Sequence, residues 1–193
     1  MKVAILSGSA RTNNNTIRVA KALKNKLDVL GYTSTILDFT AYDLPLTNQA
    51  KIDANNLTTF QSQLVNSWAE SQLIITISPE YNWTTTPELL NMYNVLGTLD
   101  FRHLFDNKVF SFVGVSTGKG GKMPCLTLIQ VLGKLVSFTN SYSVVSPKIF
   151  ESHFTKEVLD ENGMINDNEM YNKGLSDFLT YSLNTAKRWI PIS

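Results

Sequence analysis

Five short runs of β-branched and apolar residues, at 3–6, 35–37, 73–77, 109–115 and 142–145, are separated by longer stretches whose apolar residues recur at helical spacing. This alternation constrains the chain more than anything else in it. Ile17, Ala20, Leu23, Leu27 and Leu30 step by three and four, and Gly31 stands where a left-handed cap would end a helix. Leu57, Phe60, Leu64, Val65 and Trp68 repeat the pattern before the third run. Pro87 opens Leu89, Leu90, Tyr93 and Leu96, with Gly97 closing, and Pro124 opens 126–136. A last helix is expected through Tyr171, Leu175, Phe178, Leu179 and Leu183, ending near Ile190 and Pro191. Strands that are apolar throughout, joined by helices, predict a parallel sheet covered on both faces with right-handed crossovers. The expectation is an α/β chain with a doubly wound five-stranded parallel sheet in three layers. No repeat, low-complexity tract or linker divides it, so residues 1–193 read as one domain.

In such a sheet ligands bind at the carboxyl ends of the strands, near the point where strand order reverses. The loops to read are those after the first, third and fourth strands. The first, residues 7–16 (SGSARTNNNT), is a row of hydroxyls and amides around one cation, Arg11, and it runs into a helix. A helix start offers amides without intrahelical partners and the positive end of the dipole, so this loop suits an anion. It has one glycine where a dinucleotide fingerprint needs G-x-G-x-x-G, and it lacks the P-loop pattern. A terminal phosphate monoester held by side chains therefore fits better than a pyrophosphate against bare backbone. The third-strand loop, SPEYNWTTTP, carries Tyr81 and Trp83 among amides and hydroxyls, which suit a flat heterocycle or a contact with another subunit. The fourth, STGKGGK, has three glycines in four positions, allowing positive φ and close backbone approach to a ligand.

These three loops resemble those of the NAD(P)H-dependent FMN reductase family, over roughly residues 1–135. The family pattern G-S-x-R-x-x-S-x-T is matched by Gly8, Ser9, Arg11 and Thr16, with Asn14 where serine is usual. Its P-E-Y-N-G string is matched by Pro79, Glu80, Tyr81 and Asn82, with Trp83 in place of the glycine and one extra residue before Pro87. Its S-x-G-x-G-G loop is matched by Ser116, Gly118, Gly120 and Gly121. The resemblance implies a flavodoxin-like fold, FMN as cofactor and NAD(P)H as electron donor. It also implies that Ser9, Arg11, Asn15 and Thr16 hold the FMN phosphate and that Pro79, Glu80, Tyr81 and Asn82 line the flavin edge on its N5 side. Ser116, Gly118, Gly120 and Gly121 would then contact the pyrimidine side. No catalytic side chain is required, because the cofactor carries the chemistry and the protein orients it.

Composition narrows the alternatives. One cysteine, Cys125, and two histidines rule out an internal disulfide, a cysteine-based zinc site and a four-thiolate cluster. Seventeen basic against sixteen acidic residues leave a net charge of +1, too little to collect nucleic acid or a membrane surface. The opening apolar run is far short of a membrane span, so a cytoplasmic location is expected. Three functions remain: an FMN-dependent oxidoreductase acting on a quinone, an azo or nitro compound or free flavin; a non-catalytic flavin-binding electron-transfer module, against which the near-neutral charge argues; and a nucleotide-binding module without turnover. Tyr81, Trp83, Phe101 and Phe105 are expected near the strand ends as the aromatic contacts of a homodimer that encloses the flavin. Cys125 reads as a small core residue, Lys119 as solvated, and His103 as part of a short turn. Asp38 follows a strand but lacks the glycine fingerprint of a ribose ligand. The acidic stretch 157–169 reads as a solvated connection.

Overall fold

In the computed structural model, which describes residues 1–190, the chain forms one five-stranded sheet, every pairing parallel, in the order β2-β1-β3-β4-β5. The strands are β1 (Lys2–Ser7), β2 (Thr33–Asp38), β3 (Leu73–Pro79), β4 (Val109–Val115) and β5 (Val144–Ser152). The helices are α1 (Asn15–Val29), α2 (Thr59–Glu70), α3 (Pro87–Leu96), α4 (Lys122–Phe138), the single-turn α5 (Thr155–Val158) and α6 (Glu169–Trp189). Pro191, expected at the end of the last helix, lies outside the described residues.

The two-residue period of the strands sorts their side chains into two cores. Val3 and Ile5 of β1, with Ile75 and Ile77 of β3, pack against α1 and α6. Ala4 and Leu6, with Ile74 and the β4 residues Phe110 and Phe112, pack against α2, α3 and α4. The central strands β3 and β4 are buried along their whole length, while β2 and β5 are partly exposed edges. Three layers result, as the alternation predicts.

The fifth strand departs from the expected 142–145 and runs instead through Ser152. The pairing of β4 with β5 slips between Phe110 and Phe112, from Val145 to Ile149, and Pro147 sits in that irregularity, where its missing N–H interrupts no ladder. Helix α4 likewise starts two residues before Pro124, on a left-handed Gly121. Gly31 takes the left-handed conformation expected beyond α1. Phe101 and Phe105 correct the reading of the rim aromatics. Both are buried, and Phe105 packs on Trp68 and Phe110 near the amino end of β4, away from the strand ends that carry the loops. A 3-10 segment, Leu99–Leu104, turns them inward.

Candidate functional site

Strand order reverses between β1 and β3, and the loops leaving their carboxyl ends diverge there to leave a cleft of 290 Å³. Ser9, Arg11 and Asn15 line one side of it, Pro79, Glu80 and Tyr81 the other. The loop after β1 is pulled tight against the sheet. Gly8 N–H donates to the Ile77 carbonyl at 2.9 Å, and a Cβ on Gly8 would stand 2.4 Å from Leu89 Cδ1. The Thr86 hydroxyl, which caps α3, donates to the Gly8 carbonyl at 2.9 Å and fixes the same loop from above.

Asn14, where the family pattern has serine, caps α1 through its side-chain oxygen. That oxygen accepts from Ile17 N–H at 2.8 Å and from the Thr16 hydroxyl at 2.6 Å. The Thr16 hydroxyl also meets Ser7 Oγ at 2.9 Å, so this buried side chain faces inward and leaves the backbone amide as the group not engaged. The amides of Asn15 and Thr16, at the first helical positions, have no intrahelical acceptor, and the cap takes only the Ile17 amide. Asn15 Oδ1 is buried with no hydrogen-bond partner. The Arg11 guanidinium lies 4.2 Å from the centre of the Tyr81 ring, whose hydroxyl stands 3.3 Å from Ser9 Oγ. Among the described residues Arg11 has no carboxylate partner. A cation and unengaged backbone amides at one helix start form a donor set that fits a phosphate monoester, while Asn15 Oδ1 beside them is an acceptor.

The loop after β3 closes as a two-residue hairpin. Tyr81 and Thr84 exchange backbone hydrogen bonds of 3.0 and 3.1 Å across Asn82 and Trp83, which both take positive φ (48° and 59°). Asn-Gly is the preferred pair for such a turn. Here Trp83 adopts the glycine conformation and stands 75% exposed. Asn82 and Trp83 lie beyond the cleft lining, at the turn's tip.

The glycine loop is engaged with the protein itself. Gly118 N–H donates to Ser116 Oγ at 3.2 Å, Gly120 N–H to His153 Nδ1 at 3.1 Å, and Gly121 N–H to the Glu80 carboxylate. A neutral His153 ring then carries its proton on Nε2, 3.9 Å from a Glu151 oxygen. Gly114 makes the arrangement possible, since a Cβ there would fall 1.7 Å from the Gly121 carbonyl oxygen. The three loops thus do converge: the first presents free donors at Arg11 and the start of α1, the fourth contributes Thr117 to the cleft, and the amides of Gly118, Gly120 and Gly121 are taken up within the protein. Hydrogen bonds from Gly121 to a flavin ring require Glu80 to move.

Lys119 is exposed, as expected. Cys125 is fully buried, and burial pushes its thiol well above the ordinary range, consistent with a packing role. Asp38 accepts from Thr40 N–H at 3.0 Å and caps a 3-10 turn. The stretch after β5 differs from the solvated connection expected of it: Val158 and Leu159 are buried, and Lys156 lines the cleft. Lys156 and His153 escape a reading that ends the fifth strand at residue 145. A strand read through Ser152 would have put residues 153–156 at the carboxyl rim.

Such a sheet, with a phosphate-adapted loop at its switch point, defines a flavodoxin-like fold of the kind that carries a flavin mononucleotide. Residues 1–150 match the model of the family described as NADPH-dependent FMN reductase, and the chain belongs to that family. It is an NAD(P)H-dependent flavin oxidoreductase with FMN as cofactor. The flavoenzyme NAD(P)H:(acceptor) oxidoreductase FerB from Paracoccus denitrificans is similar in structure at 18% identity, with a TM-score of 0.73 over 97% of this chain and 98% of that one. An NADH:FMN oxidoreductase, EMOB, in its apo form, is similar at 16% identity and a TM-score of 0.58, over 94% of this chain and 89% of that one. RosB, solved with a bound 8-demethyl-8-formylriboflavin 5'-phosphate intermediate, is similar at 16% identity and 0.63, over 97% and 79%. No curated protein sequence matches the chain. Among the described residues no helix is long and apolar enough to cross a membrane.

Proposed function

We propose that residues 1–193 act as one domain that binds FMN at the β1–β3 switch point, accepts hydride equivalents from NAD(P)H and delivers electrons to a second small molecule. The acceptor classes that fit are a quinone, an azo or nitro compound and free flavin. One similar structure is that of an NADH:FMN oxidoreductase, which supports free flavin among them. The observation that carries the reading is the unengaged donor set of Arg11 and the first backbone amides of α1 around one cleft.

FMN, when bound, would supply the hydride and electron-transfer chemistry at its N5. The chain binds and orients. Ser9, Arg11, Asn15 and the Thr16 amide hold the phosphate. Pro79, Glu80, Tyr81 and Asn82 border the ring on its N5 side, and Ser116, Gly118, Gly120 and Gly121 border its pyrimidine side. There the α4 N-terminus favours negative charge once Glu80 has turned away. The homodimer reading now rests on Tyr81 and Trp83 alone, with a partner chain as the second wall of the nicotinamide site. One buried thiol and a balanced charge fit a cytoplasmic enzyme.

Heat-released cofactor separated by chromatography tests the cofactor, and recovery of FAD as the main species would overturn the phosphate reading. Anaerobic NAD(P)H oxidation against a panel of the named acceptors tests the turnover. Light scattering tests the assembly: a mass near 21.6 kDa with full activity would show that one chain builds the whole site.

A further inference from the structure

Lys156 lies outside the residues 1–150 matched by the family and outside all three loop motifs, yet it lines the same cleft as Ser9, Arg11 and Asn15. Its position is set by buried chemistry on its neighbour. Thr155, fully buried at the start of α5, meets Ser152 Oγ at 2.8 Å, and Ser152 Oγ meets Tyr171 OH at 2.8 Å. The Thr155 hydroxyl also lies 3.3 Å from the Ser116 carbonyl, and Phe154 N–H donates to the Gly118 carbonyl at 3.0 Å. The turn that carries Lys156 is thereby fastened to the ends of β4, β5 and α6. Beyond it, Arg18 of α1 donates to the Leu159 carbonyl at 3.0 Å and Lys21 to the Glu161 carbonyl at 2.8 Å. Helix α5 therefore packs beside the first turns of α1, at the end of the cleft where the phosphate-binding amides lie.

Among the described residues Lys156 makes no ion pair. Arg11 is drawn over the Tyr81 ring. A phosphate monoester carries about −1.5 to −2 charges near neutral pH, more than Arg11 alone neutralises. We propose that Lys156 is a second cationic ligand of the FMN phosphate, supplied by the β5–α6 connection, and that it closes the side of the phosphate site that the first loop leaves open. Its ammonium acts as a point charge that adapts to the phosphate oxygens, complementing the planar Arg11 fork. This rests on the flavin reading above.

Equilibrium titration of the apo-protein with FMN and, separately, with riboflavin tests it, because riboflavin keeps the ring and ribityl chain and lacks the phosphate. Lys156→Met is expected to raise the FMN dissociation constant on the order of tenfold, to leave that of riboflavin unchanged, and to flatten the salt dependence of FMN binding. Lys156→Arg should retain most of the FMN affinity. The side chain is exposed and its turn is held by Thr155, so the far-ultraviolet dichroism and Tm of both variants should match the parent. An unchanged FMN constant in Lys156→Met, or an equal loss for riboflavin, overturns the role. A parent protein that takes up neither flavin would overturn the flavin reading itself, and this inference with it.

Discussion

Arg11 and Lys108 are cations at opposite ends of the same sheet, and they are held in opposite ways. Lys108 is buried at the amino end, just before β4, and its ammonium donates to the carbonyls of Ala69 at 2.7 Å and Ser71 at 2.6 Å. Around it Trp68, Phe105 and Phe110 pack edge to face and tilted, leaving that end closed on itself. Arg11 is exposed at the carboxyl end, in contact with an aromatic face and with no carboxylate among the described residues. Around it Asn13, Asn82, Trp83, Gly120 and Gly121 all take positive φ. One end satisfies its cation internally, though Trp68 Nε1 beside it is buried without a partner, and serves the fold. The other keeps donors free and holds a bulky side chain, Trp83, in the left-handed region, whereas the positive-φ residue beside Lys108 is Asn107, a type that tolerates it.

The sharpest way to break this contrast is at the contact between β4 and the glycine loop. Gly114→Ala sets a methyl group against the Gly121 carbonyl oxygen, which is backbone and cannot swing aside. We expect a loss of about 2 to 3 kcal/mol from overpacking, or roughly 4 to 12 °C in Tm for a chain of this size, with FMN retention falling alongside. Thermal unfolding followed by dichroism measures it, and an unchanged Tm would mean that the loop does not need to lie on the strand. Next in size, Arg11→Ala should cost about 1.5 to 3 kcal/mol of FMN affinity, the range of a charge-assisted contact. The apo-protein's Tm should stay put. A fall in Tm with unchanged affinity would reverse the reading and make Arg11 a structural cation like Lys108.

The same contrast explains what the sequence reveals. The four strands at 2–7, 33–38, 73–79 and 109–115 are legible because each contains an uninterrupted run of β-branched or apolar residues, and the helices because their apolar residues keep one stripe. The fifth strand is obscured by Ser146, Pro147 and Lys148, which look like a turn and form an edge irregularity instead. Phe101 and Phe105 show no period that would reveal a 3-10 segment folding them into the core. At the site, the phosphate loop is readable because its groups lie in one contiguous string. Lys156, and the Glu80 and His153 contacts that engage the glycine amides, depend on pairings 33 to 41 residues apart for the last two, and no local pattern announces them.

Trp83 offers a smaller effect of opposite sign. A side chain in the left-handed region costs about 1 to 2 kcal/mol relative to glycine, and Trp83 is 75% exposed, so little packing is lost with it. Trp83→Gly restores the pair this turn prefers and should raise Tm by about 2 to 8 °C. If the strain serves the site, KM for NAD(P)H or the acceptor should rise in the same variant. A lower Tm would show that the indole supports the hairpin, and the carboxyl end would then be less strained than its dihedral angles imply.

The smallest effect belongs to the closed end. Burial lowers the Lys108 ammonium from its ordinary value to about 8, with the Asp106 carboxylate partly opposing the shift. The unfolded chain holds this proton to about pH 10.4, so above about pH 8 the unfolded state binds more protons than the folded one. Stability contributed by this residue therefore rises with pH between those values, while below pH 8 the cost of keeping the ammonium buried is felt in full. Over about pH 7.5 to 8.5 the Tm of the parent should climb relative to that of Lys108→Met, by on the order of 1 °C after solvent screening. FMN affinity should be the same in both, since Lys108 stands at the far end of the sheet. Parallel pH profiles would mean that the two carbonyl hydrogen bonds hold the proton in place, and that this end of the sheet keeps its cation charged as firmly as the site keeps Arg11.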